Sequence, residues 1–140
     1  MSDGAGESPT ALEILLVEDN PGDVRLTKEA LRATSIEHEF HVVTDGDEAI
    51  DFLHQRGEYA DSPRPDLILL DFKLPRLNGD EVAAKIDGTG DLAQIPLIVL
   101  TGHPARDEVL GTDDLPVDAA LTKPVDSEEF LETVNSLERV

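Results

Sequence analysis

Residues 15–20 read LLVEDN. Three aliphatic side chains run directly into two adjacent carboxylates, Glu18 and Asp19, and then into Asn20 and Pro21. The aliphatic run suits a strand covered on both faces. Asn20 is a good helix cap and Pro21 a good first helical residue, and Val24 and Leu31 then share one face of the helix that follows. The stretch is therefore a strand, a charged turn and a helix in immediate succession.

The same unit recurs along the chain. Strands are expected at EILLV (13–17), EFHVV (39–43), DLILL (66–70), PLIVL (96–100) and DAALT (118–122). Ala49, Phe52 and Leu53 mark a second helix that stops at Gly57, and a third begins near Asn78 or Gly79. A fourth spans 105–110, and the last carries Phe130, Val134 and Leu137 on one face. RGEYADSPRP (56–65) is a proline-bearing loop. Fivefold alternation of strand and helix predicts an α/β fold, a doubly wound parallel sheet with right-handed crossovers and helices on both faces. Residues 1–11, small and acidic, read as a disordered leader, and 12–140 as one domain.

Composition narrows the function. The chain has 140 residues, 31 acidic against 11 basic, and a formal charge of -20. Nucleic acid and anionic membranes, both polyanions, are thereby excluded as partners. At ~1 M salt the Debye length is about 3 Å, so this self-repulsion suits a halophile's cytoplasm; an ordinary acidic mesophile protein would carry the same site chemistry. With no cysteine there is no disulfide frame and no thiolate chemistry. No signal peptide or membrane-length apolar run is visible, and a cytoplasmic location is expected.

Ligands of an open parallel sheet bind beyond the carboxyl ends of its strands. The first strand ends there in Glu18 and Asp19, the third in Asp71, the fourth in Thr101, and the fifth in Thr122, Lys123 and Pro124. Singly, each carboxylate reads as a helix cap or a solvated turn residue; jointly they form a cup. Two carboxylates about 4 Å apart repel by roughly 4 kcal/mol at an effective dielectric near 20. Three must protonate, spread or bind a cation, and hard oxygens without histidine or thiolate favour Mg²⁺. Lys123 would supply an ammonium and Thr101 a hydroxyl to a phosphoryl group beside the metal. Gly102 leaves the approach open. The Lys123–Pro124 bond is a candidate cis peptide that would aim Lys123 into the cup, with a plain turn proline as the alternative.

LLVEDN, LILLDFKLPRLNG, IVLTG and ALTKPVD, in this order and spacing, resemble the receiver domain of two-component response regulators over residues 12–139. The loop GEYADSPRPDLILLD and the ending TKPVD further resemble stand-alone receivers of the phytochrome-associated type, here of haloarchaeal character. The resemblance implies a flavodoxin-like (βα)5 fold with strand order 2-1-3-4-5. It implies that Asp71 is the phosphoacceptor, with Asp19 a direct Mg²⁺ ligand and Glu18 acting on the metal mainly through water. The backbone carbonyl of Lys73 would be the remaining protein ligand, and Thr101 and Lys123 the phosphoryl-sensing pair. It further implies phosphoryl transfer from a sensor histidine kinase or a small donor such as acetyl phosphate, and slow self-catalysed dephosphorylation, rather than classical enzymatic turnover. A homodimer through the face of the fourth helix, fifth strand and fifth helix is also implied.

One position departs from the family pattern: Ala120 stands where many receivers carry an aromatic switch residue. Ala120 favours the alternative, a receiver-like interaction module whose partner binding ignores phosphorylation. A phosphate-ester hydrolase would want a second Asp where Lys73 stands, and a dinucleotide-binding module a glycine-rich fingerprint that is missing. His103 could touch a phosphoryl group or a water but reads more simply as solvated, as do Arg76 and Lys73. No output domain is expected after residue 140, so the effect would pass through noncovalent partners, dimerisation or a phosphate relay.

Overall fold

A computed structural model describes residues 11–34, 36–71, 82, 84–86, 88, 90–102 and 117–137. Among them five strands form one sheet: β1 (Leu12–Val17), β2 (His38–Val43), β3 (Leu67–Asp71), β4 (Leu97–Thr101) and β5 (Ala119–Thr122). Every pairing is parallel, and the order is β2-β1-β3-β4-β5. This is the expected 2-1-3-4-5 order of the flavodoxin-like fold. The strands lie within a residue of the predicted stretches. β3 and β4 run on to include Asp71 and Thr101, because Asp71 still pairs with Leu100 and Thr101 with Thr122.

The period of two divides the core between the faces of the sheet. Leu15, Val17, Ile68 and Leu70 pack on one face with Ala49, Phe52, Val82 and Ile86. Ile14, Leu16, Leu67 and Leu69 pack on the other with Leu31, Phe130 and Val134. All residues of β3 and β4 are buried, as strands covered on both sides should be. β2 lies at the sheet edge, and Val43 is its one buried residue.

Helix α1 (Pro21–Arg32) starts where expected: Asn20 Oδ1 accepts from the N–H groups of Gly22 at 2.8 Å and Asp23 at 3.2 Å. Val24 and Leu31 face the same core cluster. Helix α2 (Gly46–Leu53), capped by Asp45, ends before Gly57. Gln55 turns left-handed at φ 56°, with Arg56 N–H donating to Asp51 O at 2.9 Å and Gln55 N–H to Phe52 O at 3.1 Å. That pair of bonds is the Schellman arrangement. Gln55 holds it with a side-chain amide bond to Ser62 O, which leaves Gly57 to open a 3₁₀ turn, Gly57–Tyr59.

The C-terminal helix (Ser127–Ser136), capped by Asp126, buries Phe130 and Val134, and Leu137 packs against the same cluster. Val82 and residues 84–86 are helical. The expected start of that helix at Asn78 or Gly79, the fourth helix at 105–110 and the leader at 1–10 lie outside the described residues. Among the described residues no helix is long and apolar enough to cross a membrane.

Candidate functional site

The carboxyl ends of β1 and β3 bring the acidic residues together. Glu18 N–H donates to Val43 O at 2.9 Å, which carries the β1–β2 ladder one residue past Val17 and turns the Glu18 side chain inward. That side chain is buried, and its Oε2 accepts from Asn20 N–H at 3.3 Å. Asp19, next along the chain, is exposed, and Asp71 is buried at the end of β3. Glu18, Asp19 and Asp71 each offer a carboxylate oxygen within 4.8 Å of the others.

Lys123 reaches this cluster from β5. Its N–H donates to Thr101 O at 2.7 Å, and the Lys123–Pro124 peptide is cis. Its Nζ lies 2.8 Å from Glu18 Oε1, 3.0 Å from Asp23 Oδ2 and 3.3 Å from Asp71 Oδ1. The Asp23 contact, a hydrogen bond between residues 100 positions apart, escaped the sequence reading. Asp23 is three residues past a helix cap, where an acidic residue is ordinary. Only the fold brings it to Lys123.

The charges do not balance. Burial pushes the Glu18 carboxyl up to about 7; the Lys123 ammonium opposes the rise, and the hydrogen bond and charge of Asp71 add to it. For Lys123 burial works against the charged form, but hydrogen bonds to Glu18 and Asp23 and the charges of Asp71 and Glu18 outweigh it, holding the ammonium above its ordinary range. Among the described residues one cation, Lys123, thus meets three carboxylates, and Glu18 is left under-neutralised. This donor set fits a divalent cation: its oxygens are hard, clustered and short of positive charge.

Thr101 closes β4 beside the cup. Its hydroxyl is buried without a hydrogen-bond partner among the described residues, a state that costs stability unless an acceptor or donor arrives. Apart from its chain neighbours, a Cβ at Gly102 would meet no atom of the described residues within 4 Å. Ala120 is buried with Val99, and Val117 packs against the pair. Lys73, Arg76 and His103 lie outside the described residues.

The sequence profile of the response regulator receiver domain matches residues 14–135. The chain belongs to this receiver family. Response regulator Rcp1 of Synechocystis sp. is 44% identical over 132 residues, covering 94% of this chain and 90% of Rcp1. The Mn²⁺-bound crystal structure of Rcp1 superposes with a TM-score of 0.73, covering 91% of each chain. The phosphorylated cyanobacterial phytochrome response regulator RcpA is 41% identical, with a TM-score of 0.75 and 91% of each chain covered. The bacteriophytochrome response regulator AtBRR is 36% identical, with a TM-score of 0.85 over 94% of this chain and 96% of its own. The expected likeness to phytochrome-associated receivers is borne out by these relatives.

Proposed function

We propose that this receiver accepts a phosphoryl group on Asp71, from a sensor histidine kinase of the phytochrome class or a small acyl phosphate, with Mg²⁺ as cofactor. The observation that carries the reading is the convergence on Lys123 Nζ of the buried Glu18 and Asp71 carboxylates, with a Thr101 hydroxyl that has no partner among the described residues at the end of β4. An Asp71 oxygen attacks phosphorus, the new O–P bond forms, and the bond to the donor's nitrogen or oxygen breaks with its electron pair leaving on the donor. Lys123 steadies the charge on the phosphoryl oxygens, and Thr101 offers them the hydroxyl that has no other partner among the described residues. Glu18, Asp19 and Asp71, with the Lys73 carbonyl as the family pattern implies, would hold the cation, which when bound supplies the positive charge that one ammonium cannot. Mn²⁺-bound Rcp1 and phosphorylated RcpA support this by similarity.

Ala120 favours a second reading, a module whose partner binding does not depend on phosphorylation, because a methyl group in a small aliphatic cluster has no rotamer to switch. Intact mass after incubation with acetyl phosphate in molar KCl, with and without Mg²⁺, tests the first reading. Wild type is expected to gain one phosphoryl group only with Mg²⁺, and Asp71→Ala none. Failure to label wild type with either acetyl phosphate or a histidine-kinase donor would favour the second.

A further inference from the structure

Lys123 has three ammonium donors and, among the described residues, three carboxylate partners. Two of those partners, Glu18 and Asp71, belong to the clustered oxygens that suit a divalent cation; Asp23 does not. A cation entering the cup claims the same oxygens that the ammonium occupies, so the two positive charges compete for one set of ligands. The ammonium must then give ground, and at 19% side-chain exposure it cannot withdraw fully into water. Asp23 is the partner it can keep. The backbone of Asp23 is fixed by its N–H bond to Asn20 Oδ1, and its carboxylate sits on the α1 side of Lys123 at 3.0 Å.

We propose that Asp23 is a positioning residue for Lys123, anchoring the ammonium at the rim so that a divalent cation can take the Glu18 and Asp71 carboxylates. The inference rests on the cation-binding reading above. Without Asp23 the ammonium would hold more tightly to Glu18 and Asp71 and resist their transfer to the metal. Asp23 therefore promotes metal binding without being a ligand.

The test is a Mg²⁺ titration, followed calorimetrically and by NMR shifts in one KCl buffer, of wild type, Asp23→Asn, Lys123→Met and the double variant. Lys123→Gln replaces Lys123→Met should the latter not fold. Asp23→Asn is expected to weaken Mg²⁺ binding by about tenfold, the scale seen when a residue supporting a metal's ligands is lost. In the Lys123→Met background the same change should have no effect, because the group it positions is gone. An equal loss in both backgrounds would make Asp23 a ligand or a distant charge and overturn the proposal. Unchanged affinity in Asp23→Asn would reduce Asp23 to an ordinary first-turn helix residue, and overturn it too. Wild type that binds no divalent cation would sink the cation reading itself, a separate and recognisable failure.

Discussion

Replacing Glu18 by glutamine should shift the stability of the cation-free protein, relative to wild type, in the variant's favour as pH rises, while weakening its hold on a divalent cation. The Glu18 carboxyl is pushed by burial from its ordinary 4.5 up to about 7. The folded protein thus keeps a proton that the unfolded chain releases between these values. Its contribution to stability is greatest below 4.5 and is lost as pH rises towards 7. The loss amounts to under about 1 kcal/mol at pH 5 and about 3 kcal/mol at pH 8. Glutamine has the same shape and carries no charge to desolvate, but its single oxygen serves only one of the two donors that meet Glu18, the Asn20 N–H at 3.3 Å and the Lys123 ammonium at 2.8 Å, and its NH2 then faces the other. That cost is the same at both pH values, and Lys123 retains Asp23 and Asp71. Between pH 5 and pH 8 the variant's melting temperature should therefore rise relative to that of wild type by roughly 7 °C, from the pH-dependent part of about 2 to 3 kcal/mol alone. Melting curves followed by circular dichroism, in fixed KCl with a chelator, would measure this. Asp19→Asn, at an exposed neighbour, controls for the change in net charge. Added Mg²⁺ should stabilise wild type more than the variant. A difference between variant and wild type that is the same at both pH values, or that moves against the variant as pH rises, would refute the reasoning.

Other consequences follow from single contacts. Ala120→Phe places a ring among Val99 and Val117 and should destabilise the resting protein by about 1–3 kcal/mol through overpacking, read from urea unfolding. Asn20→Ala removes the acceptor for Gly22 and Asp23 N–H and should cost about 1 kcal/mol as a lost helix cap, measured in the same way.

The sheet was legible because its central strands are almost wholly aliphatic and buried on both faces, and because Asn20-Pro21 marks the start of α1 without ambiguity. Helix ends were harder. Gly57 looked like the stop of α2, but the left-handed position falls on Gln55, held by a side-chain bond to the Ser62 carbonyl that no local signal announces. In the site, strand-end position alone led to Glu18, Asp19, Asp71, Thr101 and Lys123, since parallel strands deliver their carboxyl ends to one rim. Asp23 was missed because its role depends on a side chain 100 positions away. The His41–Glu13 pair at 2.6 Å was missed for a similar reason: it depends on the register in which β1 meets β2, which neither strand's own pattern states.

The central claim is that Asp71, and no other carboxylate of this very acidic chain, receives the phosphoryl group. Borohydride reduces an acyl phosphate to the alcohol, so it converts a phosphorylated aspartate into homoserine and leaves free carboxylates untouched. After treatment of the protein with acetyl phosphate and Mg²⁺, reduction and peptide mass analysis should find homoserine at position 71 alone. Homoserine elsewhere with position 71 still aspartate, or unreduced aspartate at every position despite a phosphoryl adduct on the intact protein, would contradict the account.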